Sequence, residues 1–364
     1  MRRKKIVFTV TNDLSFDQRM IRICTSLAEN GYEVLLVGRL LRNSRELQSY
    51  SFEQFRIRCL FTKGMLFYAE YNVRLFVFLL RYRFDVIGAI DLDTILPCLL
   101  VSLLRKKIRI YDAHELFCEM KEISSRPLVH KCWKLIEKIT VPRFKLGYTV
   151  NQPIADEFKR MYSVQYEIIR NMPVYKNIAI PTKPSKFLLY QGAVNEGRSF
   201  ETLIPAMKMV DSTLVICGQG NFLEEAKRLV KEHQLETKII FKGTLVPEEL
   251  RLFTAQAWAG VTLFDRDGLS NYYSLANRFS DYIQAGLPQI CVDYPVYREL
   301  NNLHEVAVLI SDLSESSIAD ALNRLLNDQE LYQKLQSNCL VARETLSWQE
   351  EEKKLIRFYQ THIG

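Results

Sequence analysis

The stretch "SNYYSLANRFSDYIQAGLPQICVD", residues 270 to 293, sets Asn277, Arg278 and Asp281 close together behind a helix-start signal at Ser274. A Gly-Leu-Pro corner and an apolar run follow, so this helix feeds a buried strand. A cation and a carboxylate three residues apart can close a solvated helix face as an i,i+3 ion pair. A helix that only packed would have little use for three such polar residues. Others recur where strands end, the place where open α/β sheets hold their ligands. They are Asp91 and Asp93 in "AIDLDT", His114 and Glu115 in "YDAHELF", Asn171 in "IIRNMPV", Gly192 and Arg198 in "YQGAVNEGRSFE", and Gly218 and Gly220 in "CGQG".

Several chemistries are disfavoured by what is missing. The GxG of "GQGNFL" has no third glycine, and "TVTNDLSFDQR" after the first strand has no glycine-rich turn, which disfavours NAD. No GxxxxGK[ST] phosphate loop and no GxSxG nucleophile elbow occurs. His and Cys lack metal-ligand spacing, and the eight cysteines include no CxxC pair, as expected of reduced thiols in a cytoplasmic protein.

The elements that must position these residues alternate strand and helix in both halves. "KKIVFTVTN", "YEVLLVGR", "FDVIGAID", "IRIYDAHE" and "LGYTVN" are strands, with helices at 16–31, 72–82, 94–105, 127–141 and 153–162. After "YKNIAIPTKPSK", the best linker candidate, "FLLYQGA" opens a second series that runs through "STLVICGQG", "KIIFKGT", "AGVTLFD" and "PQICVD". The 364 residues suit two α/β domains, each built like a nucleotide-binding sheet and facing a cleft. The expected spans are 1–180, 181–345 and a final helix at 346–364 that crosses back to the first domain.

Charge separates the halves. Residues 1–180 carry a net of +12 and residues 181–364 a net of −5. A basic half points to an anionic partner. Nucleic acid lacks a recognisable motif here. "RKKIRI" and "RPLVHKCWKLIEKITVPRFK" mix cations with apolar residues, which suits an anionic membrane surface or, equally, a core helix with a solvated side. On the helix from Pro127, Trp133, Ile136 and Ile139 or Thr140 share one face. "MRRKKIVFTV" reads as a first strand rather than a signal peptide, and "TILPCLLVSLL" is too short to span a bilayer.

The segments "FDQRMIRICTSLAENGYEV", "YDAHELF", "VICGQG", "FKGTLVPEELRLF" and "YYSLANRFSDYIQAGLPQI" recur in this order over nearly the whole chain. Together they resemble a retaining glycosyltransferase of the GT-B fold, glycosyltransferase family 4. The resemblance implies an acceptor-binding N-terminal domain and a C-terminal domain that binds a nucleotide-sugar. Ser274 to Asn277 would then offer backbone amides to the diphosphate, as helix N-termini do. Arg278 and Arg198 would add charge there, Asp281 would hold the ribose, and Gly192, Gly218 and Gly220 would line the nucleotide site. His114 would sit near the reacting sugar, with Asp17, Arg19, Asp91, Asp93 and Glu115 on the acceptor side. No metal is expected, because cations and a helix N-terminus take its place.

The sequence also departs from the family. Tyr273 stands where an E-x7-E motif has its first Glu, and the second carboxylate is Asp281. The implied activity is sugar transfer with retention to a glycan or lipid-linked acceptor in cell-surface polysaccharide assembly, in the cytoplasm at the inner membrane face. A sugar-nucleotide epimerase and a non-catalytic sugar-nucleotide-binding scaffold stay open as alternatives. So do local roles: Asp91 and Asp93 could cap the helix near Thr94, and Gly218 and Gly220 could form only a turn.

Overall fold

A computed structural model describes residues 3–15, 17–177, 185–266 and 268–364. The chain divides into unit 1, Met1–Asn171 with Glu350–Gly364, and unit 2, Met172–Gln349. The change falls at Met172, whose side chain already belongs to the core of unit 2, ahead of the expected residue 180. Most of the proline-containing linker candidate, 178–184, lies outside the described residues.

Unit 1 runs β1 (Lys5–Thr9), α1 (Gln18–Glu29), β2 (Glu33–Leu40), β3 (Glu53–Arg58), α2 (Gly64–Arg81), β4 (Val86–Ile90), α3 (Ile95–Leu104) and β5 (Ile108–Ala113). It continues through α4 (Lys121–Ser124), α5 (Pro127–Thr140), β6 (Leu146–Thr149), α6 (Gln152–Tyr162) and β7 (Glu167–Ile168). Its strands pair in parallel in the order β3-β2-β1-β4-β5-β6-β7. The order reverses between β1 and β4, so the loops after these two strands meet at a switch point. β1 and β4 are buried almost throughout, as strands covered on both faces require.

The unit 1 elements that differ from the expectation are the unforeseen β3, α4 and β7 and an earlier start to α2. β3 was not foreseen, because "EQFRIR" at a sheet edge alternates charged and apolar residues and buries only Ile57 fully. α2 begins at Gly64 rather than residue 72, since "GMLFYAEYNV" is apolar on most sides and hides its helical period. On α5, Trp133 and Thr140 are buried as expected but Ile139 is 43% exposed. Glu137 takes the inward place, 2.9 Å from Lys134.

Unit 2 runs β8 (Phe187–Gln191), α7 (Phe200–Ala206), β9 (Thr213–Cys217), α8 (Leu223–Glu232), β10 (Ile239–Phe241), α9 (Pro247–Gln256), β11 (Ala259–Thr262) and α10 (Leu269–Tyr272). Then follow α11 (Asn277–Gln284), β12 (Gln289–Val292), α12 (Pro295–His304), β13 (Ala307–Ile310), α13 (Glu315–Asn327), α14 (Gln329–Thr345) and α15 (Trp348–Ile363). The parallel order is β10-β9-β8-β11-β12-β13, with its switch point between β8 and β11. All of α15 but its first two residues belongs to unit 1, as the expected crossing helix requires. There Phe358 meets Tyr148 edge-on with ring centres 5.3 Å apart, and Tyr359 lies against Phe8 and Tyr32.

α11 sits on the sheet through Tyr282, whose hydroxyl donates to the Leu189 carbonyl at 2.9 Å and accepts from the Gln191 amide at 3.2 Å. The ring lies over Gly260 of β11, where a Cβ would come within 2.4 Å of it. We therefore expect Gly260→Ala to destabilise unit 2 by about 1–3 kcal/mol through overpacking. Thermal unfolding should show a clear fall in Tm, and an unchanged Tm would mean that α11 is not seated in this way.

Candidate functional site

In unit 2 the loops after β8 and β11 bring two arginines to one aromatic ring. Arg278, second residue of α11, is only 6% exposed and donates from Nη1 to the Gln191 carbonyl at 3.0 Å. Its guanidinium carbon lies 4.4 Å from the ring centre of Tyr190 and 4.8 Å from that of Phe264. The Arg198 guanidinium lies 4.4 Å from the same Phe264 ring and donates to the Asn271 side chain at 3.1 Å. Arg278 forms no ion pair with Asp281 or with any other carboxylate among the described residues, and its Nε is buried without a hydrogen bond. The solvated ion-pair reading is thereby excluded. Burying a charge without a counter-ion is costly. Such a group is a ready partner for an anion.

Asp281 accepts instead from Gln191 Nε2 at 3.1 Å, and Gln191 Oε1 accepts from Thr254 at 2.7 Å. Gln191 thus ties the end of β8 to both α11 and α9. Asn277 is the first residue of α11, beside Arg278 at the helix N-terminus. Ser274 does not start this helix. Its hydroxyl and amide both donate back to the Asn271 carbonyl, closing α10, and the Ala276 amide donates to the Tyr297 hydroxyl. The amides expected from Ser274 to Asn277 are therefore reduced at their leading end.

The glycines shape the loop that carries Arg198. Gly218 has φ +157°, and a Cβ there would meet the Gly192 carbonyl oxygen at 1.8 Å. A Cβ on Gly220 would meet the Val194 carbonyl at 2.2 Å. The loops after β8 and β9 are laced by hydrogen bonds that the Gly192 amide donates to the Cys217 carbonyl and the Val194 amide to the Gln219 carbonyl. Gly192 adjoins the guanidinium of Arg278, where its own Cβ would lie 3.2 Å from Nη1.

Unit 1 gathers a second cluster, at the ends of β4 and β5. His114 Nδ1 lies 3.3 Å from Asp91 and Nε2 lies 3.1 Å from Asp112, while its amide donates to Asp91 at 2.8 Å. Asp112 accepts from Arg19 at 2.8 and 3.3 Å, both side chains being almost wholly buried. Arg19 also donates to the Ile169 carbonyl. Burial lowers the His114 pKa, but Asp91 and then Asp112 outweigh it and push it up to about 9. Burial also pushes Asp112 up, and here Arg19 and His114 reverse the effect, holding it below the usual carboxylate range.

Neither Asp91 nor Asp93 caps a helix with its side chain. Asp91 turns to His114 from a left-handed backbone at φ 53°. Asp93 accepts from the Thr11 hydroxyl, and burial followed by the Asp91 charge raises it to about 7. Asp17 caps α1, accepting from the Met20 amide and from Asn12. Glu115 is half-buried beside His114 in the chain, and Asn171 accepts from Arg22 at 2.6 Å. Four residues of these clusters were not foreseen: Asp112, Gln191, Tyr190 and Phe264. Asp112 had a signal, as a carboxylate inside the strand "IRIYDA". Phe264 had none.

Residues 175–339 match the model of the family described as glycosyl transferases group 1. The span contains every residue of the unit 2 cluster around Arg278. An N-acetylgalactosamine-N,N'-diacetylbacillosaminyl-diphospho-undecaprenol 4-alpha-N-acetylgalactosaminyltransferase of Campylobacter jejuni is 27% identical over 149 residues, which are 40% of this chain. The match covers only 39% of that relative's length. Among solved structures, sucrose-phosphate synthase of Thermosynechococcus elongatus aligns over 99% of both chains at a TM-score of 0.80 and 16% identity. HepE of Anabaena, in complex with UDP and glucose, aligns over 98% of this chain and 99% of its own at 0.76 and 12%. The two parallel-sheet α/β units thus have the GT-B fold.

The raised His114 pKa has a definite sign for stability. With its folded value near 9 and an ordinary value of 6.5, the group stabilises fully below pH 6.5 and loses that contribution as pH rises through 9. The Tm advantage of the native chain over His114→Gln should therefore shrink between pH 6.5 and 9.5, from a ceiling of about 3 kcal/mol. A difference that stays constant across that range would show that the imidazole is not held protonated.

Proposed function

We propose that this chain is a glycosyltransferase that moves a sugar from a nucleotide-sugar donor to a glycan or lipid-linked acceptor. The observation that carries the reading is Arg278, a buried guanidinium without a carboxylate partner, sharing the Phe264 ring with Arg198 at the switch point of the unit 2 sheet. Departure of a nucleoside diphosphate builds negative charge on its β-phosphate. Two fixed cations and the N-terminal end of α11 are suited to hold that charge as it grows. Asp281, anchored by Gln191, is the proposed acceptor of hydrogen bonds from the ribose hydroxyls. Gly192, Gly218 and Gly220 shape the loops around the nucleotide. Ser274 contributes by closing α10.

Unit 1 is proposed to take the acceptor. A protonated His114 cannot be a general base at neutral pH, so its part is electrostatic: a positive charge beside the transferring sugar, its two N–H groups facing Asp91 and Asp112. Arg19 acts on it through Asp112, and Asp91 orients the ring. The leaving phosphate is then the group that receives the acceptor's proton. This front-face course, with retention and membership of family 4, rests on the sequence resemblance. No metal is required by it. The group 1 match supports sugar transfer, and the Campylobacter relative's diphospho-undecaprenol substrate supports a lipid-linked acceptor in surface polysaccharide assembly. The UDP complex of HepE supports a uridine donor. Work at the inner membrane face, through peripheral contact by unit 1, belongs to the same reading.

The test is a thermal-shift series with UDP, GDP and ADP on the native chain, Arg278→Ala and Asp281→Ala. One diphosphate should raise the native Tm, both variants should lose that rise, and Arg278→Ala should cut turnover by about 10²–10³-fold. Unchanged turnover in Arg278→Ala would sink the proposal. Binding that persists with no turnover on any acceptor would favour the scaffold.

A further inference from the structure

Within unit 1, α2 packs against α3, and α3 against α5. The outward sides of these three helices are apolar to an unusual extent. On α2, Leu66, Val73, Val77 and Leu80 fall on one stripe and are 37–64% exposed. On α3, Leu96, Leu100, Leu103 and Leu104 are 37–68% exposed, and on α5, Leu128, Leu135 and Ile139 are 43–79% exposed. Scattered exposed leucines are ordinary, but a run across three neighbouring helices marks a contact surface.

The charges on these helices are one-sided. The three sequences contain just two carboxylates. Glu70 accepts from the Leu60 and Phe61 amides and pairs with Arg74, while Glu137 is buried against Lys134. Arg81, Lys131 and Lys138 are exposed beside the apolar stripes. Between β3 and α2 a groove of about 650 Å³ is lined by Phe55, Val73, Val77 and Phe78. The Phe55 and Phe78 rings stack there at 4.7 Å, and Arg58 and Arg81 line the same groove.

We propose that this face rests on a lipid bilayer carrying anionic headgroups. The leucines and valines enter the acyl boundary and the arginines and lysines meet the headgroups. The inference deepens the membrane part of the proposed function and rests on that reading, now with a named surface. Charge complementarity selects the occupant. A second copy docked by a two-fold axis would set this patch against itself, cation against cation. A nucleic acid would leave the leucines in water. No helix among the described residues is long and apolar enough to cross a membrane, so the contact lies on the bilayer rather than through it.

The test is co-sedimentation of the full chain with phosphatidylcholine vesicles, with and without phosphatidylglycerol. The native chain should sediment with the anionic vesicles and bind the neutral ones at least tenfold more weakly. Replacing Arg81, Lys131 and Lys138 by Gln should weaken anionic binding by roughly fivefold per cation, or about a hundredfold. Leu66→Asp with Val73→Asp and Leu128→Asp should abolish sedimentation with both vesicles. These positions are well exposed, so Tm and the diphosphate-induced shift should stay native and report that the fold is intact. A native chain that ignores anionic vesicles overturns the proposal. An aspartate variant that still binds them overturns this face while sparing the membrane reading. A native dimer in ultracentrifugation that the aspartates break, without vesicle binding, assigns the face to a second copy. Failure of the donor reading has a separate sign: vesicle binding intact, but no shift with any diphosphate.

Discussion

A guanidinium taken out of water needs either a counter-ion or a dense shell of dipoles and rings, and unit 2 supplies the second. Arg278 lies on Tyr190 and Phe264 and meets one backbone carbonyl, that of Gln191. Much of the neighbourhood serves that placement. Gly260 makes room for Tyr282, Tyr282 pins α11 to β8, and Gly218 lets the next loop press on Gly192. Gln191 holds Asp281 from the same strand end. The positive charge is thus positioned by the sheet itself, at the point where its strand order reverses. In a low-dielectric setting a charge fixed in advance needs no reorganisation when an anion develops beside it.

Unit 1 solves the opposite problem. In its cluster the charges are matched two against two: Arg19 and a protonated His114 against Asp91 and Asp112. The balance holds only while the imidazole carries its proton, so the cluster itself enforces the protonation state. Asp93, two residues after Asp91, turns from this group to Thr11, and burial followed by the Asp91 charge raises its pKa.

How much of this could be read from the residues depended on how local each cause was. The alternation of buried strands and capped helices was legible because period and apolar content are local properties, and both parallel sheets follow it. β3 escaped because an edge strand with "EQFRIR" has no continuous apolar run. Arg278 and Asp281 stood out by chemical type in a helix that leads to a buried strand. Ser274 misled, since a serine ahead of a helix can cap forward or bond backward, and here the end of α10 claims it. Asp112 could have been found as a lone carboxylate in an apolar strand. Phe264 could not, because a ring shared by two arginines from separate loops exists only in three dimensions.

The path of α15 bears on how the chain comes to be folded. Unit 1 is not one stretch of polypeptide. Tyr148, Phe8 and Tyr32 pack against rings from Phe358 and Tyr359, and the Arg170 amide is bonded to Glu351. During synthesis the N-terminal sheet therefore waits, one patch uncovered, while all of unit 2 is made. At usual elongation speeds that interval is roughly 10–40 s. Unit 2 can finish on its own stretch of chain. Unit 1, begun first, is the last to close.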